Sequence, residues 1–140
     1  MKTLEASYLF VYGTLRKEFL HPVKREIRND VEWVGKSFIR GRLYDIGSYP
    51  GAVRATDNKS VTIKGEILKI THPGKVLRIL DQYEGFDPAS PENCEYYRDQ
   101  EVVKLPNGDE IKAWVYWYNF PVKGKRRIRH KDYVEYLKKK

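Results

Sequence analysis

The sequence predicts an α+β domain built around a small, mainly antiparallel β-barrel. Apolar residues recur mainly in short, strand-like runs, one segment alone has strong helical spacing with signals at both ends, and the connections between segments are short. At 140 residues the chain has the length of one domain with one core, and no internal repeat, low-complexity segment or interdomain linker interrupts it.

The elements follow in chain order. Tyr8-Leu9-Phe10-Val11 is a short apolar run that stops at Gly13, as a buried strand does when it feeds a tight loop. Pro22 suits a first helical turn and predicts a short helix through Asp30. Segment 33–46 reads as strand, with an irregularity at Gly41. Val61, Ile63 and Ile67 alternate with Thr62, Lys64 and Glu66, a half-buried strand, and the shift to Leu68 and Ile70 predicts a bulge. The strong helix is 73–84. Thr71 or His72 can cap it, Pro73 lies in its first turn and Gly85 stops it. Val76, Leu77, Ile79, Leu80 and Tyr83 form its apolar stripe, with Lys75, Arg78, Asp81 and Gln82 toward water. Pro106-Asn107-Gly108-Asp109 is a hairpin turn joining strands over 96–105 and 110–119. Within the second of these, Ala113, Val115 and Trp117 share one side while Trp114, Tyr116 and Tyr118 share the other. Both sides are apolar, so one fills the core and the other is covered by a second packed layer or opens on a ligand pocket lined by tyrosine hydroxyls.

Composition narrows the functional classes. The stretch before the first strand is short and polar, and no apolar run approaches the roughly 20 residues of a membrane helix, which predicts a cytoplasmic protein without membrane contact. The one cysteine, Cys94, has no disulfide partner in the chain. Acidic neighbours in Pro-Glu-Asn-Cys-Glu disfavour its thiolate and with it a nucleophilic role. High charge content (33%) with one Met, one Cys and two Gln predicts a heat-adapted source. The net charge of +8 is concentrated at the end: residues 123–140 hold nine Lys/Arg against two acids. The rest is nearly neutral, so the sequence divides into a domain over 1–122 and a basic C-terminal extension over 123–140, expected to be solvated. Contact with nucleic acid is expected only through that extension.

Two places carry candidate chemistry. Leu77, Leu80 and Glu84 lie three and four residues apart, so Glu84 is on the apolar helical face and at the negative end of the helix dipole. Both influences raise a carboxyl pKa, as general acid/base work near neutral pH requires; an end-of-helix glutamate pointing into water is the plainer alternative. Tyr12-Gly13-Thr14-Leu15 follows an apolar strand, and the turn at Gly13 lets successive N–H groups converge on an anion, unless it is simply a structural turn. Tyr49-Pro50-Gly51 reads as a proline-glycine turn that sets an aromatic wall beside that loop. Arg98 can pair with a substrate carboxylate or stand solvated beside Gln100 and Lys104 on its strand face. His21, His72 and His130 have no metal-site spacing with one another or Cys94, and no Gly-x-Ser-x-Gly elbow, phosphate-binding loop or dinucleotide fingerprint occurs.

In order along the chain, Val11-Tyr12-Gly13-Thr14-Leu15-Arg16, Tyr49-Pro50-Gly51-Ala52, Gly65-Glu66-Ile67, Leu80-Asp81-Gln82-Tyr83-Glu84-Gly85, Tyr96-Tyr97-Arg98 and Ala113-Trp114-Val115-Tyr116 together resemble the γ-glutamylcyclotransferase-like family, in its AIG2-like and γ-glutamylaminecyclotransferase branch. The resemblance spans roughly residues 7–120. It implies a β-barrel with flanking helices and a cavity in which the Tyr-Gly-Thr-Leu loop faces the motif glutamate. It further implies release of 5-oxoproline from a small γ-glutamyl compound, with Glu84 as acid/base, Tyr12, Gly13, Thr14 and Leu15 binding substrate, and no metal or organic cofactor. With Tyr49, Tyr116 and Tyr118 added from the aromatic segments, these are the expected site residues. The polar, proline-bearing stretch 86–93 and the basic extension depart from the family pattern. A non-catalytic module binding a small carboxylate in the same cavity, and a nucleic-acid-associated protein acting through the extension, are the competing readings.

Overall fold

The computed structural model describes residues 7–13, 22–55, 61–129 and 132–139. Its strands are β1 (Ser7–Val11), β2 (Val31–Arg40), β3 (Arg42–Asp45), β4 (Pro50–Val53), β5 (Thr62–Ile70), β6 (Tyr96–Lys104), β7 (Glu110–Tyr118) and β8 (Arg126–Ile128). Its helices are α1 (Pro22–Ile27), α2 (Pro73–Glu84) and α3 (Tyr133–Lys139). Five strands form one sheet in the order β2-β5-β1-β7-β6, and β4-β3-β8 form a second. All pairings are antiparallel except β1 with β7, which is parallel.

The larger sheet curls until its edge strands meet. Ser37 of β2 donates its hydroxyl to the Lys104 carbonyl at the end of β6, 2.7 Å away. The result is barrel-like without being closed by a backbone ladder.

The second half of β7, in the middle of this sheet, is buried on both faces, as its apolar sequence requires. Ala113, Val115 and Trp117 pack inside the curl with Phe10, Ile39, Ile63 and Ile67. Tyr116 and Tyr118 belong to a second cluster with Leu9, Val11, Leu68, Val76 and Leu80, roofed by α1 and α2. Glu66, expected on the polar side of its strand, is only 1% exposed. It shares the face of Leu68 and Ile70, in the stretch of β5 from Gly65 to Leu68 that is buried throughout between β1 and β2. The irregularity expected near Leu68 exists, but the extra residue is on the partner: Trp33 pairs with Leu68 and Gly35 with Ile67, leaving Val34 as the bulge.

Helix α2 has the bounds its sequence predicts, with two local differences. Its Ncap residue, His72, has φ 56° and makes no side-chain cap. The Asp30 carboxylate instead takes His72 Nδ1 at 3.0 Å and Lys75 Nζ at 2.9 Å, while Thr71 Oγ1 donates to the Asp30 carbonyl. At the other end Gly85 adopts φ 72°, so its N–H and that of Phe86 close onto the carbonyls of Gln82 and Asp81. Asp81, expected in water, points inward: Arg98 Nε and Nη2 hold it at 2.8 and 3.0 Å, and Tyr116 donates its hydroxyl at 2.6 Å. Arg98 is thus the ion-pair partner of Asp81 rather than a freely solvated strand residue, and its guanidinium also lies 4.4 Å from the centre of the Trp114 ring. Arg98→Met leaves a largely buried carboxylate without its cation, and the expected loss is about 3 kcal/mol of stability. Chemical denaturation measures it; a midpoint equal to that of the wild type contradicts this account of the pair.

Tyr49-Pro50-Gly51 is not a turn. The chain reverses over 46–49, where the Ile46 N–H meets the Tyr49 carbonyl and the Gly47 N–H meets the Asp45 side chain. Pro50 and Gly51 already belong to β4, an edge strand that tolerates proline at its first position.

The basic segment 123–140 is likewise not a solvated extension. Within it β8 pairs with β3, Ile128, Tyr133 and Tyr136 are buried in the inner core, and Tyr136 donates its hydroxyl to Asp45 at 2.7 Å. The few apolar residues that do this lie between two clusters of cations and are hidden by the charge count. No helix among the described residues is long and apolar enough to cross a membrane.

Candidate active site

A cavity of about 230 Å³ opens where the ends of β1, β4 and α2 converge. The last residues of β1 and the bend after it supply Phe10, Val11, Tyr12 and Gly13; the β3–β4 corner supplies Tyr49 and Pro50. The end of α2 supplies Tyr83 and Glu84, the bend before β6 supplies Glu95, and the sheet supplies Tyr96 and Tyr116. Glu84 and the Gly13 bend therefore border the same hollow. The reason is local on both sides. Val76 and Leu80 are fully buried, and Glu84 continues their line one turn further along the helix. Gly13 lies so close to Pro50 that a Cβ on it would stand 3.0 Å from the proline ring.

Glu84 is the unusual group. Burial, with the nearby Glu95 carboxylate adding to it, pushes its pKa from 4.5 up to about 7. No cation among the described residues offsets this.

The tyrosines contribute differently from what a hydroxyl-lined pocket requires, because their hydroxyls are committed. Tyr12 donates to the Tyr116 carbonyl at 2.5 Å and accepts from the Ala52 N–H at 3.3 Å. Tyr96 donates to the Pro50 carbonyl at 2.7 Å, Tyr116 to Asp81, and Tyr49 to Glu95 at 2.6 Å. Burial pushes the Tyr12, Tyr96 and Tyr116 phenols well above their ordinary range. Tyr49 is pushed up to about 12, chiefly by its bond to Glu95. These four phenols therefore stay protonated near neutral pH, and their hydrogen bonds fix the walls of the cavity they line.

Of the expected site residues, the structure brings Tyr12, Gly13, Tyr49, Glu84 and Tyr116 to one cavity. Tyr118 is not on its wall. It stands behind Tyr96, ring centroids 5.5 Å apart, and packs against Gly51 and Phe120. Thr14 and Leu15 lie outside the described residues. Sequence reasoning missed Glu95, a second carboxylate on the wall, and Asp81, which orients Tyr116 from α2. The signal available for Glu95 was its place just before the aromatic strand that carries Tyr96.

Comparison with known proteins agrees with this architecture. The family model described as gamma-glutamyl cyclotransferase, AIG2-like, matches residues 9–135, which reaches past the boundary expected at 122 and takes in β8 and the start of α3. MJ1514 of Methanocaldococcus jannaschii, whose name marks it as a candidate gamma-glutamylcyclotransferase, is 31% identical over 113 residues, 79% of this chain and 83% of that one. YtfP of Escherichia coli K12, named a gamma-glutamylcyclotransferase family protein, is 26% identical over 134 residues, covering 91% and 96%. The crystal structure of an AIG2-like protein from Mus musculus shares the fold, with a TM-score of 0.70 at 21% identity over 93% of this chain and 89% of that chain. With the match extending over nearly the whole chain, and the expected glycine bend and glutamate on one cavity, the chain belongs to the gamma-glutamylcyclotransferase, AIG2-like family.

Proposed function

We propose that this chain is a cyclotransferase that releases 5-oxoproline from a γ-glutamyl amide, with Glu84 as its acid/base. The observation that carries the reading is the shared cavity, which Glu84, its pKa pushed up to about 7 by burial, lines together with the bend at Gly13 and hydrogen-bonded tyrosines.

The chemistry asks little else of the protein. The substrate's α-ammonium loses a proton to the ionised Glu84, and the freed amine attacks the γ-carbonyl of the same molecule. Once bonded to the γ-carbon that nitrogen gives up a second proton, and Glu84 passes the two protons in turn to the departing nitrogen as the tetrahedral centre collapses, so the amine leaves as an ammonium and the enzyme ends as it began. Nucleophile and carbonyl share one chain, so holding the reactive conformer lowers the barrier by about 7–11 kcal/mol at most. The Gly13 N–H, with those of Thr14 and Leu15 assigned by the family motif, binds the α-carboxylate or the developing oxyanion; one oxyanion donor contributes roughly 3–4 kcal/mol. Tyr12 acts through its backbone and ring, because its hydroxyl is spent inside the fold.

Incubation with a panel of γ-glutamyl amines, read by mass spectrometry, tests the activity. A 5-oxoproline signal that scales with enzyme is expected. Binding without product across the whole panel would instead make the chain a small-ligand module that kept the cavity.

A further inference from the structure

We infer that Asp81 is a positioning residue of the site: acting through Tyr116, it sets how far Glu84 stands from the Gly13 bend, a role that rests on the cyclotransferase reading of the same cavity.

The need for such a residue follows from where Glu84 sits. It is the last residue of α2, and the final turn of a helix leaves carbonyls without intrahelical partners and frays readily. A proton carrier has to be held more tightly than that, since a displacement of about 1 Å between reacting groups can cost on the order of a hundredfold in rate. Val76 and Leu80 anchor the middle of the helix in the core, and the Asp30 carboxylate ties its start through His72 and Lys75. The end also needs a tie, and Asp81, three residues before Glu84, lies in the last turn.

Asp81 is held by both its backbone and its side chain. Its carbonyl accepts the Phe86 N–H at 2.7 Å, which helps close the helix at Gly85. Its carboxylate accepts Nε and Nη2 of Arg98 from β6 and the Tyr116 hydroxyl from β7. The last turn of α2 is thereby pinned to two strands. Tyr116 then carries the constraint to the other side of the site. While its hydroxyl holds Asp81, its backbone carbonyl accepts the Tyr12 hydroxyl, and Tyr12 directly precedes Gly13. One residue therefore grips the helix end with its ring and the β1 end with its backbone, and Tyr12 and Tyr116 both line the hollow that Glu84 borders.

Stability alone does not call for an ionic cluster at this place. The side chains of Arg98 and Asp81 are 16% and 13% exposed, and an apolar pair of similar volume can stabilise a fold as well as a buried ion pair does. What the cluster supplies is direction. A carboxylate gripped at two points by a guanidinium has one orientation, so the oxygen that receives the Tyr116 hydroxyl is fixed in place.

The test uses Tyr116→Phe, Asp81→Asn and the double variant, with the γ-glutamyl amine that wild type turns over best. Tyr116→Phe cuts the tie and keeps the Asp81–Arg98 ion pair, so it is the variant least at risk of failing to fold. Each single substitution is expected to lower kcat about tenfold with KM within about twofold of wild type, at a temperature where all the proteins are folded. The double variant is expected to fall no lower than the weaker single, because both substitutions break the same bond. A wild-type kcat in either single variant overturns the inference, and so does a loss confined to KM. Losses that multiply in the double variant overturn it as well. A Tyr116 hydroxyl acting on the substrate directly would give a loss in Tyr116→Phe that Asp81→Asn does not share.

A carbon-detected NMR titration of Glu84 supplies a readout that needs no turnover. The groups that Glu84 senses or acts on include Glu95 and the phenols of Tyr12, Tyr49, Tyr96 and Tyr116. Tyr116→Phe alters no charge near neutral pH, so a lower midpoint reports water reaching a loosened carboxyl group. A midpoint about one pH unit below that of wild type is expected. Should Asp81→Asn fail to fold, or should wild type yield no 5-oxoproline and the cyclotransferase reading fall, this titration decides. A lowered midpoint upholds the positioning role, and an unchanged or raised one overturns it.

Discussion

Glu84→Gln is expected to lower kcat for 5-oxoproline formation by about 10³-fold or more, because one side chain both takes the ammonium proton and returns it to the leaving amine. The same variant is expected to be more stable than wild type at alkaline pH, and the sign follows from the pKa. A carboxyl group raised from 4.5 to about 7 binds its proton more tightly in the folded state, so its contribution to stability is fully present below pH 4.5 and is lost as pH rises through 7. Glutamine removes that loss. The difference between variant and wild type is near zero in acid and reaches up to about 3 kcal/mol above pH 7. Activity and stability moving in opposite directions distinguish a functional carboxylate from a structural one. Steady-state assays paired with denaturation at pH 4.5 and 8 measure both; turnover that survives the substitution removes Glu84 from the mechanism.

Gly65→Ala is expected to have the largest structural effect. Gly65 lies in β5 directly under β1, and a Cβ there would stand 2.4 Å from the Val11 carbonyl oxygen and 2.5 Å from the Phe10 ring. Neither neighbour can move away cheaply, since Phe10 is buried in the core and Val11 is buried and paired with Glu66 of β5. Destabilisation of about 3 kcal/mol is expected, read as a lowered denaturation midpoint. Because β1 delivers Tyr12 and Gly13 to the cavity, any folded fraction is expected to show reduced turnover as well. An unchanged midpoint contradicts the close packing of these strands.

What the sequence made legible was local. The bounds of α2, the hairpin at 106–109, the break at Gly41 and the stripe that aims Glu84 inward all follow from spacing and turn chemistry within a dozen residues. What escaped depends on partners distant in the chain. Asp81 looks solvent-facing on a helical wheel and becomes buried only because Arg98 and Tyr116 arrive from the sheet. Tyr116 and Tyr118 share one strand face, yet Tyr96 of the adjacent strand screens only Tyr118 from the cavity. Glu66 fits an alternating pattern until strands on both sides and helices above bury it. In 123–140, dense charge concealed Ile128, Tyr133 and Tyr136, the residues that anchor β8 and α3 in the core. Glu95 had no periodicity to betray it, because it sits between elements.

The most direct measurement is a carbon-detected NMR titration of the Glu84 side-chain carboxyl in the wild-type protein, assigned by its absence from Glu84→Gln. A midpoint near 7 is predicted, since the cavity withholds water and Glu95 adds its charge. A midpoint near 4.5 means the carboxylate is bathed in solvent, and the proton shuttle proposed for it fails.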